Sequence, residues 1–158
     1  IQIAKLLAGY PKYFSAFKSC NQNQKTNSWC NNCPKCLSTF VILAPFLKEQ
    51  DLVGIFGQNL FKNASLLPIL RKLLGEEGFK PFECVATKKE ILISMSLALQ
   101  KSRKPLPVLL QIFQENILPK YPNLEQNSTE LLQSWGHDEN LPEDLRKILK
   151  NEIAWFSR

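Results

Sequence analysis

Apolar side chains recur along this chain at intervals of three and four residues, the spacing that lines one face of a helix. Ile3, Leu6, Leu7 and Tyr10 predict an amphipathic opening helix, and Tyr13, Phe14 and Phe17 extend its apolar surface past Pro11. The stretch from Asn21 to Ser28 is polar and reads as a loop. Pro34 suits the first turn of a helix, where its missing N–H costs nothing. Leu37, Phe40, Val41, Ala44 and Phe46 then follow at helical spacing and run out near Pro45 to Leu47. Leu60 to Leu74 predicts a further amphipathic helix with Gly75 as its C-terminal cap.

Residues 78–85 read as non-helical. Thr87 and Glu90 have the capping-box spacing, in which each side chain can satisfy a backbone N–H near the other. The helix they open carries Ile91, Leu92, Met95, Ala98 and Leu99. Pro105 and Pro107 restart the chain ahead of an apolar helix from Leu109 to Leu118. Pro119 to Asn127 reads as a linker, Ser128 or Thr129 as the start of a short helix to Trp135, and Pro142 to Phe156 as the last helix. No strand-like alternation persists over five residues and no internal repeat is visible. The fold predicted is mainly α, a multi-helix domain with a four-cysteine zinc-binding loop. Residues 1–120 form the helical metal-binding region, with the loop at 18–37, and residues 121–158 form a helical extension packed on it.

Composition changes this picture little. The 158 residues are 44% hydrophobic and 22% charged, within ordinary globular usage, which excludes disorder and fibrous repeats. No apolar run reaches the roughly 18 residues a spanning helix needs, so no membrane segment is expected. The chain opens on Ile1 and its single methionine is Met95, so it reads as a piece of a longer protein.

Charge is more informative. Residues 1–48 hold six lysines (Lys5, Lys12, Lys18, Lys25, Lys35 and Lys48) and no Asp, Glu or Arg, so they carry the whole net charge of +6. Such a field can attract phosphates or nucleic acid, or be no more than a solvated face. Nucleic acid is not the expected partner, because neither an arginine cluster nor an aromatic stacking motif accompanies the lysines.

Four of the five cysteines, Cys20, Cys30, Cys33 and Cys36, stand within 17 residues. Two residues between cysteines let the backbone turn so that both sulfurs face one ion, and four thiolates fill a tetrahedron. Structural zinc is the leading reading. An iron–sulfur cluster stays open, because C-x2-C-x2-C also occurs in ferredoxins, and so do unliganded or redox-active thiols. Disulfides suit small secreted scaffolds, and a chain of this length can build a core without them. Lys18, Lys25 and Lys35 flank the site and would offset part of the thiolate charge. Trp29, beside a ligand, is expected to shield the metal from water.

Beyond the cysteines a longer ordered pattern stands out. It comprises Ser19-Cys20, Trp29-Cys30-x-x-Cys33-Pro34-Lys35-Cys36, Ala44-Pro45-Phe46-Leu47, Ile55-Phe56-Gly57 and Lys80-Pro81-Phe82-Glu83-Cys84-Val85. Over roughly residues 15–100 this resembles the C-terminal part of the ATP-dependent epimerases acting on UDP-N-acetylmuramoyl-L-alanyl-L-glutamate. The cysteine spacing is also similar to that of the PP-loop enzyme 7-cyano-7-deazaguanine synthase, where it holds structural zinc.

The resemblance implies a cytoplasmic enzyme of peptidoglycan precursor synthesis, and a chain that is the C-terminal part of a larger α/β protein. ATP, with magnesium, would activate the terminal L-glutamate as an acyl adenylate, and the acidified α-proton would allow inversion to D-glutamate. The Ser-Gly-Gly-x-Asp-Ser motif of PP-loop enzymes is absent from these residues, so a nucleotide-binding region would precede Ile1. The fragment alone would then be inactive. A noncatalytic zinc-stabilised helical module for protein or nucleic-acid binding is the alternative.

Four further residues are candidates for the chemistry. Cys84 and Glu83 could move a proton at the α-carbon, against the blander readings of a small buried hydrophobe for Cys84 and a surface carboxylate for Glu83. Lys35 and Lys80 could contact phosphate or carboxylate groups of the UDP-linked muramoyl dipeptide. His137 lies in a polar turn and reads as an exposed loop histidine.

Overall fold

The computed structural model describes residues 1–79, 81, 84–134 and 140–156, and side chains within these except at 125–127 and 154–156. Lys80, Phe82, Glu83, Trp135 and His137 lie outside the described residues. The described chain is mainly helical and contains no strand: α1 (Gln2–Ala8), α2 (Pro34–Leu43), α3 (Glu49–Phe56), α4 (Leu67–Leu73), α5 (Lys88–Lys101), α6 (Val108–Ile112), α7 (Leu124–Gln133) and α8 (Glu143–Phe156). No helix among these residues is long and apolar enough to cross a membrane.

Two buried helices organise the rest. α2 packs against α1, α3, α4 and α5, and α5 carries α7 on its other side. Leu37, Phe40 and Val41 of α2 are fully buried, and α5 is buried through six consecutive residues from Ile91 to Ser96. A helix apolar on more than one face must be covered on more than one face. Ser94 lies within that run, and its hydroxyl is buried without a hydrogen-bond partner.

Local chemistry sets several helix ends where the sequence pattern placed them. Pro34 occupies the first position of α2 behind Cys33. The Thr87–Glu90 capping box is formed in full: the Glu90 N–H donates to Thr87 Oγ1 at 3.2 Å and the Thr87 N–H to Glu90 Oε2 at 2.8 Å. Gly75, at φ +66°, follows α4, where its N–H reaches the Lys72 carbonyl and the Glu76 N–H reaches that of Arg71. This is the paired bonding of a Schellman cap.

Elsewhere the periodicity misled. The helix expected over Leu60–Leu74 begins only at Leu67; before it the chain makes two 3-10 turns, Leu60–Lys62 and Ala64–Leu66. Asn59 and Asn63 cause the interruption, since their side-chain oxygens accept from the N–H groups of Phe61 and Ser65. Asparagine offers the backbone this alternative to helical bonding. The expected apolar helix from Leu109 is α-helical to Ile112, passes through a π turn at Phe113–Ile117 and ends in a 3-10 turn at Leu118–Lys120.

The opening face is also rotated from the expected one. Ile1 and Ala4 are buried, whereas Ile3 is 83% exposed and Tyr10 is 40% exposed. α7 begins at Leu124, four residues before the expected Ser128, because Leu124 is drawn into the core. α3 was not anticipated. It ends at Gly57, whose φ of +82° suits a residue without a Cβ.

Candidate metal centre

Cys20, Cys30, Cys33 and Cys36 converge, with all four sulfurs within 4.8 Å of one another. The Cys33–Cys36 and Cys30–Cys36 separations are 3.5 and 3.7 Å. A bridged pair would stand about 2.05 Å apart, so these are unbridged thiols. Four sulfurs at about 2.3 Å from a central ion form a tetrahedron with edges of roughly 3.8 Å. The Cys33–Cys36 and Cys30–Cys36 edges are close to that length and none exceeds 4.8 Å, and these four residues could hold a metal ion.

Each ligand is placed by a different local device. Cys33 is the N-cap of α2, and its sulfur accepts from the Cys36 N–H at 3.4 Å. The knuckle between Cys30 and Cys33 turns at Asn31, whose φ of +58° is a left-handed value that asparagine tolerates better than most residues. Asn31 Nδ2 donates to the Phe56 carbonyl at 2.7 Å, tying the knuckle to the end of α3. Cys20 comes from the far side of a polar loop braced by Asn23 Nδ2 on Ser28 Oγ at 3.1 Å and Thr26 Oγ1 on the Asn23 carbonyl at 3.2 Å.

The electrostatics of the four thiols differ. Burial pushes the Cys33 thiol up to about 11, and burial raises Cys36 further still. At Cys20 burial also opposes the thiolate. There, backbone N–H groups of Cys30, Asn23 and Gln22 outweigh it and bring the thiol down to about 6. A cation among the sulfurs supplies what burial removes, because it favours the ionised form of all four. Lys18 and Lys35 stand beside Cys20, where with Ser19, Asn21, Gln24 and Ser28 they line a polar cleft of about 350 Å³. Lys25 is exposed and does not line that cleft.

Aromatic packing fastens the centre to the core. Trp29 is buried between Phe17 and Phe56, with ring centroids 5.7 and 4.5 Å away, and Phe56 continues the chain of rings to Phe40 at 5.2 Å. The buried indole has no open face on which a base could stack.

The structure places the described catalytic and binding candidates as follows. Lys35 and Cys84 meet, with Lys35 Nζ donating to the Cys84 carbonyl. The same segment is held to α2 again where the Ala86 N–H reaches Ser38 Oγ at 2.9 Å. Cys84 itself is exposed, which corrects its reading as a small buried hydrophobe. The neighbouring Val85 and Ala86 take the places against the core, and Cys84 is left facing water. Asn31 was the residue missed. An asparagine between two ligand cysteines, able to take a left-handed corner, was its signal in the sequence.

Residues 16–130 match the model of the family described as the MurL C-terminal domain. All four cluster cysteines fall inside that span. An epimerase from a Micromonospora species, named for UDP-N-acetyl-alpha-D-muramoyl-L-alanyl-L-glutamate, is 36% identical over 107 residues, covering 65% of this chain and 24% of its own length. The like-named protein of Salinispora tropica is 37% identical over 106 residues, covering 65% of this chain and 23% of its own length. That of Xanthomonas oryzae pv. oryzae is 32% identical over 126 residues, covering 76% of this chain and 28% of its own length. The chain thus spans about a quarter of the length of these curated relatives. No solved structure matches it.

Proposed function

Because this chain belongs to the family of the MurL C-terminal domain, we propose that it is the zinc-stabilised helical part of an ATP-dependent epimerase of peptidoglycan precursor synthesis. Its substrate is UDP-MurNAc-L-Ala-L-Glu, and the product carries a terminal D-glutamate. The observation that carries this reading is the family match over residues 16–130, which takes in the cysteine cluster. The relatives' names supply the substrate, and the enzyme works in the cytoplasm, where UDP-linked precursors are made.

Zinc fits the donor set. Sulfurs 3.5 and 3.7 Å apart close around one ion, whereas a cluster of several irons would spread them further. Four protein ligands leave no open position for a water or substrate, so the ion holds structure and does no chemistry. It clips the loop at 18–33 to the first turn of α2.

The chemistry needs an activated carboxyl group. ATP and the substrate's glutamate carboxylate give an acyl adenylate and diphosphate, with magnesium balancing phosphate charge. The adenylate withdraws electrons from the carbonyl, so the α-proton can leave from one face and be returned on the other. Hydrolysis then yields the D-glutamate product and AMP. Cys84 and Glu83 are the candidates for moving the proton, and Lys35 and Lys80 for contacting the substrate's anionic groups. Of the four, Lys35 is bonded to the backbone carbonyl of Cys84, and this nearness of the two segments is what supports grouping them beside α2.

The nucleotide-binding region belongs to the remaining length of the enzyme. The test places this chain in the Micromonospora relative, in exchange for its matched quarter, and follows D-glutamate in the product. ATP-dependent inversion by the fused protein, and none by the 158-residue chain, is expected. A fused protein that retains its zinc and gives no inversion would sink the reading.

A further inference from the structure

The polar cleft beside Cys20 is a surface of hydrogen-bond donors. Lys18, Ser19, Asn21, Gln24, Ser28 and Lys35 surround about 350 Å³, and no carboxylate among the described residues joins them. An ammonium only donates, and hydroxyl and amide groups donate as well as accept. Lys18, Ser19, Ser28 and Lys35 are each half-buried. Lys18 has no ion-pair partner among the described residues. Lys35 Nζ gives one N–H to the Cys84 carbonyl and keeps two. The loop that supplies the other donors is held in shape. Cys20 and Cys30 draw its ends into the sulfur cluster. Across it the Ser28 N–H reaches the Asn23 carbonyl at 3.4 Å, and the Asn27 N–H that of Gln24 at 3.3 Å. Donors already fixed in place lose little freedom when a ligand arrives.

We propose that this cleft seats the linked phosphates of a nucleotide. The proposal rests on the epimerase reading above, in which the UDP-linked substrate and ATP both carry such a group. The donor set selects phosphate over carboxylate. A planar carboxylate suits the fork of an arginine, and no arginine among the described residues lines the cleft. Ammonium, hydroxyl and amide groups on separate stems suit the several oxygens of a diphosphate, which point in many directions. Every lining residue falls within residues 16–130, the part matched by the family model. The Lys35 bond also brings the backbone of Cys84, a candidate for moving the proton, to the edge of the cleft.

The metal centre leaves room for this charge. Of the four cluster cysteines only Cys20 shares the lining, while Cys33 and Cys36 are fully buried. A zinc tetrathiolate carries −2, so residues 1–48, at +6 without an acidic group, still hold about +4. That field draws a polyanion towards the cleft. Nucleic acid is the poorer occupant, because the buried Trp29 offers no face for a base.

Calorimetric titration of the zinc-loaded chain with UDP, ADP, uridine and inorganic diphosphate tests the cleft. UDP or ADP should bind and inorganic diphosphate should compete; a preference for UDP gives the cleft to the UDP-linked substrate, and one for ADP gives it to ATP. Lys18→Gln, and independently Lys35→Gln, should weaken binding about tenfold or more at unchanged zinc content. Lys25→Gln removes the same charge from the same loop, away from the cleft, and should change binding less than about twofold. No binding, an equal loss from Lys18→Gln and Lys25→Gln, or uridine binding as tightly as UDP overturns the proposal. So does tighter binding of a mixed-sequence single-stranded oligonucleotide. The fused protein separates this proposal from the reading it rests on. Inversion whose KM for both ATP and the UDP-linked substrate is unmoved by Lys18→Gln defeats the cleft alone. Lys18-dependent nucleotide binding without inversion defeats the epimerase reading alone.

Discussion

Replacing Cys33 by serine isolates the metal from the helix it caps. Cys33 is fully buried and serves two purposes at once: its sulfur stands 3.5 Å from that of Cys36 and it caps α2 by accepting the Cys36 N–H. Serine is a strong N-cap in its own right, so Cys33→Ser keeps the second role and loses the first. Structural zinc contributes about 10–16 kcal/mol to folding in small zinc domains. An equal share for each of four thiolates is about 2.5–4 kcal/mol. Against a domain stability of about 5–15 kcal/mol, that loss is a large fraction. At about 2–4 °C per kcal/mol for a chain of this size, the melting temperature falls by about 5–16 °C. Thermal melting by circular dichroism, with zinc counted by elemental analysis, reads both effects. Cys84→Ser is the control, because Cys84 is exposed and outside the cluster, and it should leave both values unchanged. If Cys33→Ser kept one zinc per chain and melted within about 2 °C of the parent, the structural role argued here would be wrong.

Zinc uptake at pH 7 should release at least two protons, those of the buried Cys33 and Cys36 thiols, whose ionisation lies above neutral pH. Cys20, brought down to about 6, is already largely a thiolate at that pH. Affinity therefore falls as pH falls, because protons compete for the sulfurs; titration in weak buffer counts the protons, and uptake without release would refute the argument. Thr87→Ala removes the acceptor for the Glu90 N–H and half of the capping box that opens α5. The cost should be about 1 kcal/mol, read as a melting shift of about 2–4 °C with zinc content unchanged.

The features readable from residue order alone are those whose interactions close within a few positions. The cysteine spacing, Pro34 at the start of α2, the Thr87–Glu90 box and the Gly75 cap each involve partners at most sixteen residues apart. Chelation, capping and a left-handed turn need no distant part of the chain, so residue type and spacing specify them. The mainly helical class follows in the same way, from periodicity summed over several segments. What periodicity could not supply was direction. Ile3 and Ala4 differ little as helix formers, and only the position of α2 makes Ala4 the buried one. The early start of α7 depends on a distant core that takes in Leu124, whereas the broken helix at 60–66 is local, set by Asn59 and Asn63 against the apolar periodicity. The meetings of Lys35 with the Cys84 carbonyl, 49 positions apart, and of Tyr10 with Glu152, 142 apart, exist only because the packed helices bring those segments together. Such contacts depend on the placement of whole elements, and no short window of sequence carries that information.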